Sequence, residues 1–184
     1  KLIHDLKGHH EPQEEKAFHT VLSSLSNAAT MVELGSYWSY YSLWFLQKFP
    51  HAKTILVEPD PNLLQIGKFN FELNQRQGTF IHAAVADRPS QAVPFRCESD
   101  GAEHPVPRVS ADSLIEDLHL DKIDLLLADI QGAELEMLQG LENAVRNGRI
   151  SYLFLSTHDA AISGDFLIHE KCLNWIKERG GNIV

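Results

Sequence analysis

Residues 31–46 read MVELGSYWSYYSLWFL, and this stretch decides how the rest of the chain is interpreted. A short apolar run leads to Glu33 and Gly35, a polar and aromatic turn follows, and apolar residues then recur at helical spacing over 41–49. This order predicts a strand, a tight loop and a helix. In an open α/β sheet, such a crossing is where a nucleotide-like ligand binds. A glycine there lets the backbone approach the ligand, and the helix start offers unpaired N–H groups.

The composition is that of an ordinary globular protein. The 184 residues are 43% hydrophobic and 22% charged, so we expect one domain over 1–184 that buries its own core. The formal charge of −9 argues against a nucleic acid partner, because phosphate binding needs a basic face, but it does not disfavour a cationic ligand.

Several features favour a cytoplasmic protein. No apolar run approaches the roughly 18 residues of a membrane span, and the first residues lack the apolar core of a signal peptide. Cys97 and Cys172 stand far apart without metal-ligand spacing, as expected of free thiols in a reducing compartment, and we assign no metal site. The chain begins without Met and stops where a strand should start, so we expect trimming at both ends and truncated C-terminal strands.

The first half of the chain alternates strands and helices. A leading helix is predicted over 14–25 within a segment 1–28, whose first twelve residues are irregular. Strands then follow at 30–34, 54–57 and 79–85, with helices at 41–49 and 61–74 between them. This alternation predicts a doubly wound, mostly parallel α/β sheet of the Rossmann-like kind, whose strands read as continuous apolar runs.

The alternation is interrupted at 88–108, which holds four of the eight prolines. We interpret this segment as an irregular or hairpin insertion, and as a lid or acceptor-recognition element. Helices are predicted beyond it at 111–118, 133–146 and 166–178. Strands are predicted at 123–130, which is apolar enough to be central, at 152–156, and from 182 onward.

Four predicted strands end in an ionisable side chain: Glu33, Glu58, Asp129 and His158. Ligands of open α/β sheets bind outside the carboxyl ends of the strands, so these side chains should share one rim. Glu58 can accept hydrogen bonds from both ribose hydroxyls of an adenosine, or be a solvated acid at a strand end. Glu33 either holds the glycine loop or meets an ammonium group of the ligand. Asp60, followed by a proline, is best explained as a helix cap.

The loop at Gly35 carries one glycine, whereas a dinucleotide fingerprint needs three in the pattern GxGxxG. Ser39 stands where a second glycine is expected. A pyrophosphate requires the close backbone approach that the further glycines permit, but an adenosine cofactor without phosphate does not. The loop therefore favours S-adenosylmethionine over a nicotinamide dinucleotide.

The chain resembles the FkbM family of S-adenosylmethionine-dependent methyltransferases from about residue 30 to its end. The resemblance is carried by VELGSYWSYYSLWF, LVEPDPNLLQIGKFNFELN, HAAVAD, RVSADSLIEDL and IDLLLADIQGAELEMLQGL, and by the strand that ends in His158. The strongest element is DLLLADIQGAE, because family members carry an aspartate, a short linker and GxE there. The resemblance implies the class I methyltransferase fold and O-methylation, often of a sugar or a hydroxylated natural product.

The resemblance also implies which residues hold the cofactor. Matching positions are those of the first motif, the ribose acid, the stretch after the third strand and the rim aspartate: Glu33, Gly35, Ser36, Glu58, Pro59, Ala83, Ala84, Val85 and Asp129. Ser39 departs from the family by replacing a usual glycine, which bears on cofactor affinity. Gln131 replaces a residue that is commonly charged.

Asp129 and His158 are the candidate catalytic residues. Asp129 follows a strongly apolar strand, where desolvation suits a carboxylate to general-base work; it could also orient the substrate, bind a divalent cation or cap the next helix. His158 could deprotonate a hydroxyl or be structural. Glu134 is interpreted as a first-turn acid favoured by the helix dipole.

The aromatic residues of the glycine loop suit a cation, a sugar ring or plain core packing: Tyr37, Trp38, Tyr40 and Tyr41.

The sequence therefore predicts an S-adenosylmethionine-dependent O-methyltransferase that acts on a hydroxyl of a sugar, a glycoside or a related small molecule. The predicted partner is this acceptor, without nucleic acid or membrane span, and a homodimer is compatible with the sequence. Two alternatives stay open at this point: an NAD-dependent oxidoreductase, and a methyltransferase-like binding module that has lost catalysis.

Overall fold

The computed structural model describes residues 11–183, which form eight strands and eight helices. The strands are β1 (Thr30–Leu34), β2 (Lys53–Glu58), β3 (Thr79–His82), β4 (Ala84–Val85), β5 (Ser90–Arg96), β6 (Glu103–Val109), β7 (Ile123–Ala128) and β8 (Ile150–Leu155). The helices are α1 (Pro12–Leu22), α2 (Tyr40–Lys48), α3 (Pro61–Leu73), α4 (Ala111–Asp117), α5 (Glu134–Gln139), α6 (Glu142–Arg146), α7 (Ala160–Ser163) and α8 (Ile168–Glu178).

The main sheet has five parallel strands in the order β3-β2-β1-β7-β8. Its two faces pack against different helices, because side chains alternate along each strand. Val32 and Leu126 belong to the core shared with α4, α5, α6 and α8, whereas Met31 and Leu125 belong to the core shared with α1 and α2. The predicted doubly wound α/β fold is confirmed. The strand predicted to be central, β7, is an interior strand, but β1 occupies the middle.

The predicted elements of the first half agree closely with the structure. The first strand has the predicted bounds, β2 and α2 differ from prediction by one residue at each end, and α3 ends one residue earlier than predicted. The leading helix begins earlier than predicted, because Pro12 takes up the first helical position instead of ending an irregular segment. Phe18 and Leu22 of this helix are fully buried. The predicted irregular conformation of 1–10 lies outside the described residues.

The predicted third strand, 79–85, is wrong in one respect, since it is two strands in two sheets. β3 pairs with β2 only as far as His82, opposite Glu58. β2 ends before Pro59, which has no N–H to donate to a neighbouring strand, so the residues after His82 have no partner strand in the main sheet. Ala84 and Val85 instead pair with β6, and β6 pairs with β5 as an antiparallel hairpin. The insertion predicted at 88–108 is this hairpin.

The helix predicted over 133–146 is two helices, α5 and α6, separated at Gly140. A Cβ at Gly140 would lie 2.5 Å from the carbonyl oxygen of Ala86. The helix therefore breaks where the backbones of Gly140 and Ala86 are in close contact. The carbonyl of Gly140 accepts the amide of Asp112 at 2.9 Å. The Asp112 carboxylate in turn accepts the amides of Asn143 and Ala144, which begin α6.

The C-terminal region differs most from prediction. The short α7, capped by Asp159, was not foreseen, and α8 begins two residues later than predicted. Residues 182 and 183 form no strand, contrary to prediction; the chain turns at Gly180, and Gly181 donates to the carbonyl of Ile176 at 3.0 Å. Residue 184 lies outside the described residues.

Both cysteines, Cys97 and Cys172, are free and buried. Among residues 11–183, no helix has the length and apolar character needed to cross a membrane.

Candidate functional site

A cavity of about 400 Å³ opens at the carboxyl edge of the main sheet. This volume lies within the range of small-molecule sites. The four side chains that the sequence assigns to one rim all line it: Glu33, Glu58, Asp129 and His158. Strand order arranges them in a row, because β2 and β7 flank β1 and β8 lies beyond β7.

The glycine loop forms the middle of the cavity. Gly35 has φ +76°, and a Cβ on it would lie only 2.0 Å from the carbonyl oxygen of Asp129. The amides of Gly35 and Ser36 both donate to the carbonyl of Val57, at 2.9 and 3.0 Å. The side chain of Ser36 is 2% exposed and lines the cavity, and its hydroxyl has no hydrogen-bond partner among the described residues. The loop is therefore fixed by backbone contacts and leaves one buried hydroxyl for a ligand.

Ser39 adopts the left-handed conformation, with φ 68°, at a position where the sequence analysis expects a glycine. Its side chain is fully buried, and room for it comes from the neighbouring helix α3. A Cβ at Gly67 would lie 2.4 Å from the Ser39 hydroxyl, so that glycine is what allows the serine to fit. The departure from glycine is accommodated by packing and does not fill the cavity.

Glu58 holds the glycine loop and the start of α3 together. One carboxylate oxygen accepts the amide of Tyr37 at 2.8 Å, and the other accepts the amide of Asp60 at 2.9 Å. Burial raises the pKa of Glu58 to about 7, although these two amide hydrogen bonds oppose the shift. Each oxygen keeps further acceptor capacity, since an ionised carboxylate has about four lone-pair sites.

Glu33 lies at the end of the central strand and is 2% exposed. Its carboxylate accepts the amide of Ser42 at 3.2 Å, in the first turn of α2, while it also lines the cavity. Burial raises its pKa to about 8 against the hydrogen bonds from Ser42. This hydrogen bond holds the start of α2 and not the glycine loop, while the place of Glu33 on the cavity wall suits contact with an ammonium group of a ligand.

Asp60 is the helix cap that the sequence predicts. Its carboxylate accepts the amides of Asn62 and Leu63 at 2.9 and 3.4 Å, at the start of α3. The same carboxylate is bonded to Ser99 in the β5–β6 hairpin.

Asp129, His158 and Glu134 form a chain of three ionisable groups. The Nε2 atom of His158 lies 3.1 Å from Oδ1 of Asp129, and its Nδ1 atom lies 2.6 Å from Oε1 of Glu134. Glu134 is fully buried and also accepts the amide of Gly132 at 3.0 Å. Because a carboxylate only accepts, Nδ1 donates to it, and Nε2 is aimed at Asp129 and the cavity. The proposed cap role of Asp129 is wrong, since Ala133 is the N-cap of α5.

The other predicted cofactor residues divide into two groups. Pro59, Ala84 and Val85 line the cavity, whereas Ala83 is 1% exposed within the core and does not. All four loop aromatics line it: Tyr37, Trp38, Tyr40 and Tyr41.

The sequence analysis gives no role to Glu11 and interprets Glu134 only as a helix acid. It gives Phe95, Arg96 and Glu98 only the general lid or acceptor role of the segment 88–108. The GxE element marks Glu134, but its contact with His158 requires the pairing of β7 with β8. The sequence marks the inserted segment but not which of its residues face the cavity, because the approach of the hairpin to α3 is a tertiary contact.

The cavity is strongly acidic. Its carboxylic side chains are Glu11, Glu33, Glu58, Asp60, Glu98 and Asp129, and the basic side chains among the described lining residues are Arg96 and His158. Within residues 11–183, no three His, Cys, Asp or Glu side chains are grouped as a metal site would require.

Comparison with known proteins agrees with this geometry. The family model described as the methyltransferase FkbM domain matches residues 26–182. The precorrin-6y C5,15-methyltransferase of Geobacter metallireducens is similar in structure, with a TM-score of 0.55, 14% identity, and coverage of 90% of this chain and 71% of that one. Sp1610 of Streptococcus pneumoniae, named as a candidate tRNA (m1A22) methyltransferase, is also similar in structure, with a TM-score of 0.54 and 15% identity. This match covers 92% of this chain and 61% of Sp1610. At these identities the likeness shows the fold alone. No curated protein matches the sequence significantly.

We expect Gly35→Ala to abolish folding or to lower the free energy of unfolding by more than about 4 kcal/mol, since the new Cβ would overlap the Asp129 carbonyl. Gly101→Ala is the matched control: its φ is also positive, at +68°, but no atom lies within 4 Å of the new Cβ. That variant should cost only about 1–2 kcal/mol of left-handed strain. Urea unfolding followed by circular dichroism measures both, and equal losses would contradict the contact.

Glu33 should make stability fall as the pH rises. Its pKa is about 8 in the folded protein against an ordinary 4.5, so between these values the folded state binds more protons than the unfolded state. The free energy of unfolding then drops by up to about 1.4 kcal/mol per pH unit from this group. Glu33→Gln removes the proton exchange and should flatten the slope between pH 5 and 8, leaving the variant relatively more stable at pH 8.

Urea unfolding at pH 5, 6.5 and 8 measures the slope, with Glu72→Gln on the exposed surface of α3 as the control. An unchanged slope in Glu33→Gln would show that Glu33 is ionised in the folded protein.

Proposed function

The chain belongs to the FkbM methyltransferase family, and on that premise we propose that it transfers the methyl group of S-adenosylmethionine to a hydroxyl of a sugar, a glycoside or a related small molecule. The observation that carries the proposal is the row of side chains along one cavity, with Glu58 at one end and the pair Asp129 and His158 at the other. Glu58 suits an adenosine, and the Asp129–His158 pair suits a hydroxyl that must lose a proton.

The residues of the cavity fit this cofactor. S-adenosylmethionine carries a sulfonium and an ammonium group, and an acidic cavity favours both. The buried hydroxyl of Ser36, which has no hydrogen-bond partner within residues 11–183, can bond a polar group of the cofactor. Glu58 keeps acceptor capacity for the ribose hydroxyls after it has accepted the amides of Tyr37 and Asp60. Glu33, beside Gly35, is suited to the ammonium group.

The charge of the cavity supports an uncharged acceptor. The fold leaves the acceptor open, because its structural neighbours include enzymes named for a corrin precursor and for tRNA. A phosphorylated acceptor or a nucleic acid would bring negative charge to an acidic site in a chain of net charge −9. The rings of Tyr37 and Trp38 stand edge to face, with centroids 5.5 Å apart, and offer aromatic surface for a sugar ring.

The methyl transfer needs alignment and one proton acceptor. When bound, S-adenosylmethionine would supply an activated methyl group on a positively charged sulfur, which would leave as a neutral thioether. The hydroxyl proton passes to the Asp129–His158 pair, whose Oδ1 and Nε2 atoms lie 3.1 Å apart at the cavity wall. The loop at Gly35 supplies the fixed backbone against which cofactor and hydroxyl are aligned for the methyl transfer.

Glu134 acts through His158 and is a positioning residue. Its buried carboxylate fixes the imidazole orientation through Nδ1 and stabilises the imidazolium when Nε2 takes a proton. The amide of Gly132 holds the same oxygen in place.

The family membership decides between the alternatives. The chain is a methyltransferase, so an NAD-dependent oxidoreductase and a binding module without catalysis are not retained. The homodimer stays a prediction.

Isothermal titration should detect binding of S-adenosylmethionine, and incubation with the cofactor and a panel of hydroxylated sugars and glycosides should yield products heavier by one methyl group in mass spectrometry. Phosphorylated sugars and a tRNA mixture are the control acceptors. No cofactor binding would remove the proposal, and methylation of the control acceptors alone would remove the uncharged acceptor.

Asp129→Asn and His158→Gln should each lower kcat by about 100-fold or more, because the proton acceptor is lost, while cofactor affinity stays within about threefold of the parent. Glu134→Gln should lower kcat by about 10-fold to 100-fold with an unchanged KM and a shifted pH profile of kcat. Glu136→Gln is the matched control, since Glu136 lies on the same helix and pairs with Arg108. Parent-like kcat in all three test variants would exclude this pair as the base.

A further inference from the structure

The hairpin formed by β5 and β6 reaches the cavity with the end of β5 and with its tip, residues 97–102. Phe95, Arg96 and Glu98 line the cavity, although they come from a different sheet than the strand ends that form its floor. The turn is built by the amide of Cys97 donating to the carbonyl of Ala102 at 2.8 Å. At its other end the hairpin is joined to the main body through the pairing of β6 with β4.

Ser99 fastens the tip of this hairpin to α3. Its amide donates to one carboxylate oxygen of Asp60 at 2.8 Å, and its hydroxyl donates to the other at 2.8 Å. The side-chain amide of Asn62 donates to the Ser99 hydroxyl at 2.9 Å. We refer to these three bonds as the Ser99–Asp60 clasp. Burial raises the pKa of Asp60, but the hydrogen bonds from Ser99 and from the helix amides outweigh it and lower the pKa. The clasp is therefore made by an ionised carboxylate, which strengthens its hydrogen bonds.

The clasp lies at the Glu58 end of the cavity. Asp60 donates its own amide to Glu58, so the residue that fastens the hairpin also fixes the acid suited to the ribose. The neighbouring lining residues, Leu63 and Val85, belong to α3 and β4. The Asp129–His158 pair follows β7 and β8, on the far side of the central strand from β2.

We propose that the β5–β6 hairpin is the wall of the nucleoside end of the cofactor site, with Phe95 as its apolar contact to the adenine and the Ser99–Asp60 clasp as the device that holds it there. The inference rests on the proposed function only for the identity of the cofactor. It assigns the inserted segment to cofactor binding, whereas the sequence alone favours a lid or acceptor recognition. Because the clasp holds the tip of the hairpin in place, the affinity for the nucleoside depends on Ser99, which does not line the cavity.

Titration of the intact chain with adenosine and with S-adenosylmethionine tests this role. Phe95→Ala should weaken both ligands by similar factors of about tenfold, since it removes a contact to the part that they share. Ser99→Ala keeps the backbone amide but loses two of the three clasp bonds. It should weaken both ligands about threefold to tenfold and speed amide hydrogen exchange over 97–102 in the absence of ligand.

Two control variants separate the clasp from general effects. Ser90→Ala changes the same hairpin, where the Ser90 hydroxyl donates to the neighbouring carbonyl of Gln91 at 3.2 Å and to no other group in the described part of the chain. Phe69→Ala removes an aromatic ring that is 57% exposed on α3. Both should bind adenosine as the parent does.

The outcomes distinguish this inference from the proposed function. Parent-like adenosine affinity in both Phe95→Ala and Ser99→Ala overturns the role of the hairpin and leaves the methyltransferase proposal standing. A loss confined to acceptor turnover, with cofactor affinity unchanged, also overturns it and returns the hairpin to acceptor recognition. Absence of binding by the parent chain overturns both.

Discussion

The contact on which the site depends is a close approach of two backbones, that of Gly35 after the central strand and that of Asp129 after its neighbour. The amide of Asp129 donates to the carbonyl of Leu34 at 3.1 Å, and the carbonyl of Asp129 occupies the space that a Cβ on Gly35 would need. The loop after β1 thus packs directly against the residue that follows β7. This contact places the loop suited to the cofactor beside the acid suited to the proton, because no side chain separates them.

The loops around this contact are strained and are held by buried acids. Tyr37, Ser39 and Gln131 are non-glycine residues with positive φ, a conformation that costs on the order of 1 kcal/mol or more for each. The carboxylates of Glu58 and Glu33 accept amides of this region, at Tyr37 and Ser42. Burying these acids is unfavourable in itself, which is why their pKa values rise. A cationic ligand in the cavity would favour their ionised form, because a nearby opposite charge lowers the pKa of a carboxyl group.

The sequence was most informative where a local pattern determines the structure. The apolar run before Gly35 predicts β1 with its observed bounds, and strand ends predict the acids of the rim, since parallel strands deliver their last residues to one edge. Glu134 was interpreted only as a helix acid, because its partner is 24 residues away and meets it through the pairing of β7 with β8. The break at Gly140 likewise depends on a neighbouring backbone and leaves no trace in the periodicity.

The position of the hairpin at the cavity follows from one local property of the chain, the missing N–H of Pro59. Pro59 ends β2, so the chain beyond His82 has no strand beside it and leaves the main sheet. The His82 ring donates from Nε2 to the Pro59 carbonyl at 2.8 Å and closes that end of the sheet. Ala84 and Val85 then pair with β6, which brings the hairpin across the carboxyl end of β2. Asp60 lies two residues after the end of β2 and meets Ser99 there, so the residue that starts α3 also fixes the wall of the cavity.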